Sequence, residues 1–256
     1  MPFGPDGPCD DHVRHNPKVT MVAVGNQDLP GGFGYADDTL FMSLQASTQW
    51  DALSHAFYDG VMWNGHRAKE TISESGTSRN SISELREGIV GRGVLLDIAR
   101  HLGLECLHDN QAVSPELLDE VASTEHVEIR RGDVILVRTG RVGRAIREGS
   151  YPAETFAMAS PGLSVRCAAW LVENEVAAVA ADNVAVEVMG PEGADTFSPL
   201  HMICQRDAGI PFGELFDLER LADACSEENR WEFLLVAAPI PIQGAVGAPV
   251  NPIAIL

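Results

Sequence analysis

Apolar stretches and segments with helical periodicity alternate along most of the chain. Short runs rich in apolar and β-branched residues predict strands, and the clearest is Val134–Arg138, which follows a turn signal at residues 131–133. The other predicted strands cover residues 88–97, 176–181 and 231–238, a strand that runs into a loop over 40–53, and a short apolar segment at 253–256. Because helical segments lie between these strands, the order of elements favours an α/β fold.

Three segments carry the signals of helices. The best marked follows Val113, where Ser114 is a candidate N-cap, Pro115 occupies the first helical position and Glu116 lies in the first turn. Ser164 can cap a second helix, with apolar residues at 168 and 170–172, and a third helix is predicted over residues 215–224. These helices provide apolar faces that can cover a sheet.

The chain shows no internal repeat and no low-complexity linker. Residues 1–36 are rich in Gly, Pro and Asp without helical periodicity, so we expect an irregular lead-in. Residues 37–256 are predicted to form a single domain, with a polar excursion over the surface at residues 64–83.

Composition and charge exclude several classes of protein. The net charge of −19 disfavours nucleic-acid binding, because that binding draws most of its affinity from Lys and Arg. The sequence has no apolar run of about 18 residues and no basic start followed by an apolar stretch, so we expect a cytoplasmic protein without a membrane partner. Its five cysteines are widely spaced and form no CxxC pair, which argues against a disulfide scaffold or a structural zinc site.

The most informative stretch is residues 44–55, LQASTQWDALSH. On an extended strand, Gln45, Gln49, Asp51 and His55 would share one face, because side chains alternate with a period of two. Polar groups that converge within an apolar segment need a metal, water or one another as partners. Both a hydrogen-bonded network at a sheet edge and a functional site fit this pattern.

A second stretch, residues 201–214, contains His201 and Glu214, which alone are weak evidence for a site. Asp182 ends an apolar strand, where α/β proteins often carry site residues, although a turn-forming Asp-Asn pair is an equal alternative. The glycines of GIVGRG at residues 88–93 precede no clear helix, so a nucleotide site is not expected there.

Residues 45–55 resemble the signature H-x-G-T-H-x-D-x-x-x-H of the metal-dependent cyclase family, which includes kynurenine formamidases and isatin hydrolases. Here the segment reads Gln-Ala-Ser-Thr-Gln-Trp-Asp-Ala-Leu-Ser-His. Further similar segments include FYDGVMWNGH, VEIRRGDVILVRTG and GAVGAPVNPIAIL, so that the resemblance extends from about residue 37 to the end.

This resemblance implies a swivelling β/β/α domain with a mixed sheet and flanking helices, commonly assembled as a homodimer or homotetramer. It places the metal ligands at Gln45, Gln49, Asp51, His201 and Glu214, and it gives His55 a role in proton transfer, with Asp51 beside it. The separation of His201 and Glu214 is about one residue longer than the family leads us to expect.

Glutamine replaces both leading histidines of the signature, at positions 45 and 49. An amide carbonyl is a neutral oxygen donor and a poorer zinc ligand than imidazole. The resulting oxygen-rich set favours Mn²⁺ or Mg²⁺ over Zn²⁺. The resemblance nonetheless implies a divalent cofactor, which we expect to be Mn²⁺ or Zn²⁺.

The resemblance therefore predicts a metal-dependent hydrolase that opens or cleaves an amide or ester bond, such as a lactone, lactam or formamide, in a small organic molecule. Two alternatives remain open: metal-independent acid–base chemistry, as in a lyase, isomerase or cyclase, and a silent small-molecule-binding protein. Residues near the motif could contact the substrate, although the aromatic ones could equally be core residues: Thr48, Trp50, Phe57, Tyr58 and Trp63.

Overall fold

The fold is known from a computed structural model that describes residues 4, 5, 7, 14–25, 29–149, 157–190 and 196–256. Its centre is an eight-stranded mixed sheet with helices packed around it. The described strands are β1 Lys18–Val24, β2 Ala36–Phe41, β3 Gln49–Asp51, β4 Ile72–Ser73, β5 Gly76–Thr77, β6 Val90–Asp97, β7 Ala112–Val113, β8 Val134–Arg138, β9 Gly162–Leu163, β10 Ala178–Ala181, β11 Phe212–Glu214, β12 Glu232–Val236, β13 Gly247–Pro249 and β14 Ile253–Ile255.

Seven α-helices are described, several of them short. They are α1 Ala68–Thr71, α2 Ile98–His101, α3 Pro115–Thr124, α4 Arg141–Glu148, α5 Cys167–Glu173, α6 Pro199–His201 and α7 Glu219–Glu228. Helix α6 continues directly into a π-helix, Met202–Ala208, and 3₁₀ turns cover Pro30–Gly32, Trp63–Gly65 and Ile82–Leu85. None of the helices in the described part of the chain is long and apolar enough to cross a membrane.

The large sheet has the strand order β13-β3-β11-β10-β8-β6-β12-β14. Its four central strands, β11, β10, β8 and β6, are parallel, and antiparallel strands extend it on both sides. Central parallel strands are covered on both faces, which explains why β8 and β10 are continuous runs of buried residues. The predicted α/β class with a mixed sheet is confirmed.

The predicted helix start after Val113 is also confirmed. The Ser114 side chain accepts a hydrogen bond from the Leu117 N–H, and a proline occupies the first turn of α3. The helix predicted over residues 215–224 begins later, at Glu219. The reason is Leu215, whose φ of 59° is incompatible with a right-handed helix.

Two predictions about the first quarter of the chain are wrong. The lead-in is not irregular throughout, because β1 pairs antiparallel with β2 to form a separate two-stranded sheet. The strand predicted over residues 40–53 is interrupted, because turns and bends separate β2 from the three residues of β3. The four described cysteines are free thiols, and Cys9 lies outside the described residues.

Candidate metal centre

The register between β3 and β11 brings two distant parts of the chain together. These strands pair antiparallel, with Gln49 opposite Glu214 and Trp50 opposite Gly213. Asp51 lies two residues beyond Gln49, so both side chains are on the same face of the strand. Asp51 is completely buried and Glu214 is nearly so. The sheet therefore places two carboxylates and one amide in a closed environment.

His201, at the end of α6, completes the cluster. Its Nε2 lies 3.8 Å from Asp51 Oδ2 and 3.4 Å from Glu214 Oε1. Asp51, His201 and Glu214 each offer one ligand atom, and these atoms all lie within 4.8 Å of one another. The structure thus joins three residues that the resemblance assigned as ligands, including Glu214 despite its unexpected spacing.

A π-helix, Met202–Ala208, follows His201 and lies between it and Glu214. A π-helical turn contains more residues than an α-helical turn, and such turns occur frequently at functional sites. Gln205 lies in this π-helix and is completely buried. Its Nε2 donates to Asp51 Oδ2 over 3.3 Å, while its Oε1 accepts from the Ala56 N–H over 3.2 Å. Gln205 therefore holds the Asp51 carboxylate and the segment after it.

His55 reaches the cluster from a turn rather than from a strand. Its backbone N–H donates to the Ala52 carbonyl, so the single extended face predicted for residues 45–55 does not exist. The His55 Nε2 nevertheless lies 3.9 Å from Asp51 Oδ1, and the side chain is 23% exposed. It is the member of the group that solvent or a small molecule can contact.

Opposite charges stabilise the ionised forms of the buried acid and base. Burial alone would raise the pKa of Asp51, but the nearby His55 and a hydrogen bond from His201 reverse this effect and lower it. Burial likewise would lower the pKa of His201, but hydrogen bonds to Asp51, Glu187 and Glu214 raise it well above its usual range. The buried Asp51 carboxylate is therefore kept ionised by its histidine neighbours, and the His201 imidazole is kept charged by the carboxylates around it.

The residues fit a divalent cation. Gln49 Nε2 donates to Glu214 Oε2 over 3.2 Å and approaches Asp51 Oδ1 at 3.5 Å. Its Oε1 is buried and has no hydrogen-bond partner among the described residues. Rotation of the amide by half a turn would direct this oxygen at the carboxylates, where it could complete an oxygen-rich ligand set with one imidazole.

Gln45 is less well placed. Its Nε2 is buried without a hydrogen-bond partner in the described part of the chain, and it lies against Gly247, where an added Cβ would be only 2.6 Å away. Gly247 pairs with Asp51 in the neighbouring strand. Gln45 is thus beside the strand that carries Asp51, and its role as a ligand stays a prediction.

Thr48 makes a structural contact. Its hydroxyl donates to the Leu215 carbonyl over 2.7 Å, and Leu215 directly follows Glu214 with a positive φ of 59°. This bond stabilises an unfavourable backbone conformation next to a candidate ligand. Thr48 positions Glu214 through Leu215, which differs from the substrate contact predicted for it.

The four aromatic residues separate into different environments. Trp50 is completely buried, donates its indole N–H to the Ala237 carbonyl and packs edge-on against Phe216, so its prediction as a substrate contact is wrong. The alternation of β3 directs it away from Gln49 and Asp51. Phe57 is 38% exposed and remains available to a small molecule.

Tyr58 and Trp63 pack against the π-helix. The Tyr58 hydroxyl donates to Asp207 Oδ2 over 2.7 Å, and the Arg206 guanidinium lies 4.2 Å from the centre of its ring. The Trp63 indole covers Gly209, where an added Cβ would meet it at 2.7 Å. Both aromatic residues therefore support the element that carries His201 and Gln205.

Glu187 and Gln205 were missed by the sequence reasoning. Glu187 Oε1 lies 2.5 Å from His201 Nδ1, and its side chain is nearly completely buried. It lies in the segment ADNVAVE, residues 181–187, in which the sequence indicated only Asp182 as a candidate site residue.

Asp182 has a structural role instead. It is an acceptor for the Thr139 N–H, the Thr139 hydroxyl and the Gly140 N–H, each over 2.7 Å, so it fixes the loop after β8.

Known proteins with a similar sequence or structure belong to the cyclase family. A family model described as "Putative cyclase" matches residues 5–188. A structure described as a novel cyclase is 32% identical over 100% of this chain and 86% of its own, with a TM-score of 0.88.

More distant structures share the fold. Isatin hydrolase A from Labrenzia aggregata, bound to benzyl benzoate, is 19% identical over 99% of this chain and 90% of its own, with a TM-score of 0.72. A predicted metal-dependent hydrolase from Bacillus stearothermophilus is 18% identical over 99% and 94%, with a TM-score of 0.61. No curated protein matches the sequence.

Proposed function

Because this chain belongs to the cyclase family, we propose that it is a metal-dependent hydrolase. Its substrate would be a small organic molecule with an amide or ester bond, such as a lactone, lactam or formamide. The observation that carries the proposal is the buried cluster of Asp51, His201 and Glu214, with His55 at its accessible edge. The isatin hydrolases among the structural neighbours support this substrate class.

Asp51, Glu214 and His201 Nε2 would hold the cation, with the Gln49 carbonyl as a further oxygen ligand. In such a site, a divalent cation polarises a carbonyl group and lowers the pKa of water. The donor set suits Mn²⁺ through its carboxylates and amide, and it suits Zn²⁺ through its imidazole.

The residues of the chain would perform the remaining tasks. His55 Nε2 is the group available to accept a proton from water and to return one to the leaving group. Gln205 would hold Asp51 in place through its amide hydrogen bond. Phe57 offers an exposed apolar surface for the organic part of a substrate.

The test is elemental analysis of the purified protein after reconstitution with Mn²⁺ or Zn²⁺ and dialysis, beside Asp51→Ala. We expect about one equivalent of metal in the wild type and its loss in the variant, because a carboxylate ligand is removed. Asp109→Ala, which removes an exposed carboxylate paired with Arg141, is the matched control and should retain the metal.

The metal-bearing protein should then hydrolyse members of a panel of lactones, lactams and formamides, and a chelator should stop the reaction. Turnover that persists after the chelator has removed all metal would instead support direct acid–base chemistry by Asp51 and His55. Ligand binding without turnover across the panel would support a silent binding protein.

A further inference from the structure

The Glu187 carboxylate contacts both the backbone and the imidazole ring of His201. Its Oε1 accepts from the His201 backbone N–H over 3.1 Å and lies 2.5 Å from Nδ1 of the same residue. Its Oε2 accepts from the Leu200 backbone N–H over 3.0 Å. A single buried carboxylate therefore binds both the backbone and the ring of the candidate ligand.

This contact determines which ring nitrogen faces the cluster. A carboxylate accepts hydrogen bonds, so Nδ1 must carry a proton when it is paired with Glu187. The lone pair of a neutral ring then belongs to Nε2, the atom directed at Asp51 and Glu214. The orientation of His201 is thereby fixed before any cation arrives.

The turn that delivers Glu187 is strained. Ala185 and Val186 both have a positive φ, of 77° and 59°, and such a backbone is a genuine outlier for a β-branched residue. Conformations of this kind persist only where surrounding contacts enforce them, and they cluster at functional sites.

Those contacts come from two sides. Within the turn, the Asn183 side-chain amide donates to the carbonyl groups of Pro161 and Val186. On the other side, the Leu163 N–H donates to the Val186 carbonyl and the Val188 N–H donates to the Leu163 carbonyl. The turn is therefore bound to β9 before and after Glu187.

Gly162 makes this close approach possible. A Cβ at this position would lie 2.5 Å from the Glu187 carbonyl group and 2.5 Å from the Asn183 side-chain nitrogen. Both contacts are shorter than real Cβ atoms allow, and one of them is with backbone, which cannot rotate away. Any side chain at residue 162 must displace Glu187.

We propose that Glu187 is a positioning residue that orients the His201 imidazole, and that the strained turn of residues 182–188 serves to deliver it. This inference rests on the proposed metal-binding function for its consequence, which is tighter binding of the cation. Residues that orient a ligand histidine typically contribute about 10–100-fold to metal affinity.

The experiment compares Glu187→Leu, Glu187→Gln and Gly162→Ala with the wild type by two readouts. The first is the affinity for Zn²⁺ and Mn²⁺, measured by competition with a chromophoric chelator. The second is the exchange-protected imidazole N–H signal of His201 in proton–nitrogen NMR spectra. Glu173→Leu, at an exposed carboxylate in α5, is the control, and circular dichroism checks the fold of each variant.

Glu187→Leu should lose the protected N–H signal and weaken cation binding about 10–100-fold. Glu187→Gln should retain the signal, because its carbonyl oxygen still accepts from Nδ1, and should weaken binding less. Gly162→Ala should reproduce part of the loss without altering the carboxylate. A folded Glu187→Leu variant with wild-type affinity and an unchanged signal would overturn the inference.

The same data separate this inference from the proposed function. If the wild type binds neither cation, the proposed metal-dependent function is wrong. The imidazole signal alone then shows whether Glu187 orients His201. If the wild type binds a cation and the Glu187→Leu variant binds it equally tightly, the proposed function stands and the inference about Glu187 is wrong.

Discussion

His55 differs from its neighbours in being partly exposed beside a completely buried acid. Its side chain is 23% exposed, whereas that of Asp51, 3.9 Å away, is inaccessible. A group that moves protons between water and a substrate must reach both, and the candidate ligands cannot do so because they are enclosed. This difference in exposure supports the proposed roles, in which the buried residues hold a cation and His55 transfers protons.

His55→Ala should therefore reduce kcat by about 10²–10⁴-fold on any lactone, lactam or formamide that the wild type hydrolyses. Its metal content should stay unchanged, since His55 is not among the three residues whose ligand atoms converge. Steady-state kinetics and elemental analysis check both statements. The control is His108→Ala, at an exposed histidine outside the cluster, and wild-type turnover in a folded His55→Ala variant would contradict the assignment.

Glu125 is a half-buried acid that lies outside the cluster. Burial, together with the neighbouring Asp97, raises its pKa from 4.5 to about 8, although a hydrogen bond from the Asp97 N–H opposes this. The folded protein keeps this proton to a higher pH than the unfolded chain does. The contribution of Glu125 to the free energy of unfolding must therefore decrease as the pH rises from about 4.5 to about 8.

Glu125→Gln, which cannot ionise, should reduce that decrease by on the order of 2 kcal/mol, a figure that allows for the partial exposure of the side chain. Urea unfolding at pH 5 and at pH 8 measures the difference between the two proteins. Glu228→Gln, at an exposed acid in α7, should leave the pH dependence of the wild type unchanged. An identical pH dependence in Glu125→Gln would show that Glu125 does not titrate in this range.

At the scale of elements, two glycines in one strand show how β6 packs. Gly91 and Gly93 have the same parity in β6, so they face the same side of the sheet. A Cβ at Gly93 would lie 2.4 Å from the ring of Phe233, its partner in β12, whereas a Cβ at Gly91 would meet nothing within 4 Å. The ring of Phe233 covers the space that Gly93 leaves.

Gly93→Ala should therefore lower the free energy of unfolding by about 1–3 kcal/mol, the usual cost of overpacking a core. Gly91→Ala is the matched control, and it should be neutral or stabilising by up to about 1 kcal/mol, because it restricts only the unfolded chain. Thermal and urea unfolding of the two variants check the contrast. Equal stabilities would contradict the packing described for Phe233.

The same scale shows what the sequence could predict. Periodicity and start signals identified β8 and α3 because those elements are determined by local composition. The run KVTMVAV of β1 is rich in β-branched residues, and this signal was present but was outweighed by the glycines and prolines around it. The late start of α7 depends on the backbone of Leu215, which no local pattern indicates.

The site was predictable where its residues are close in sequence. Residues 45–55 carry their spacing within one segment, and the resemblance supplied the distant partners. Glu187 and Gln205 were not predictable, because their contacts depend on a strained turn and a π-helix that form only in the folded chain. Trp50 lies between Gln49 and Asp51 in β3, so its side chain points to the opposite face of the strand. This orientation follows from the sequence once residues 49–51 are known to be a strand.

At the scale of the whole molecule, the hairpin of β1 and β2 has apolar side chains exposed on both faces. Nearly all of its residues are exposed, including Val22 at 63% and Phe41 at 62%. A two-stranded hairpin is marginally stable in isolation. A second exposed apolar surface lies at the β14 end of the large sheet, where strand register puts these residues on one face: Val90, Leu234, Ile253 and Ile255.

The family resemblance implies a homodimer or homotetramer, and we propose that these two exposed apolar surfaces take part in its contacts. Exposed apolar side chains on both surfaces could be buried in such a contact, although β2 also carries the exposed Asp37 and Asp38. This burial would act against the repulsion between copies that each carry a net charge of −19.

Sedimentation equilibrium should show an oligomer for the wild type. Val22→Asp in the hairpin and Leu234→Asp on the sheet surface should each shift the protein to monomers, because either change places a charge in an apolar contact. Glu84→Lys, at an exposed residue outside both surfaces, is the control and should leave the oligomer intact. A monomeric wild type would contradict the proposal.

The π-helix that follows His201 affects how relatives of this chain are found. Differences in length between related chains normally accumulate in loops, but a π-helical turn contains more residues than an α-helical turn, and here such a turn lies between two candidate ligands. A search pattern that requires one fixed separation between histidine and glutamate would therefore omit any chain in which this turn is α-helical. In a comparison with such a chain, an alignment gap placed within residues 202–208, rather than in the next loop, would keep both candidate ligands in register.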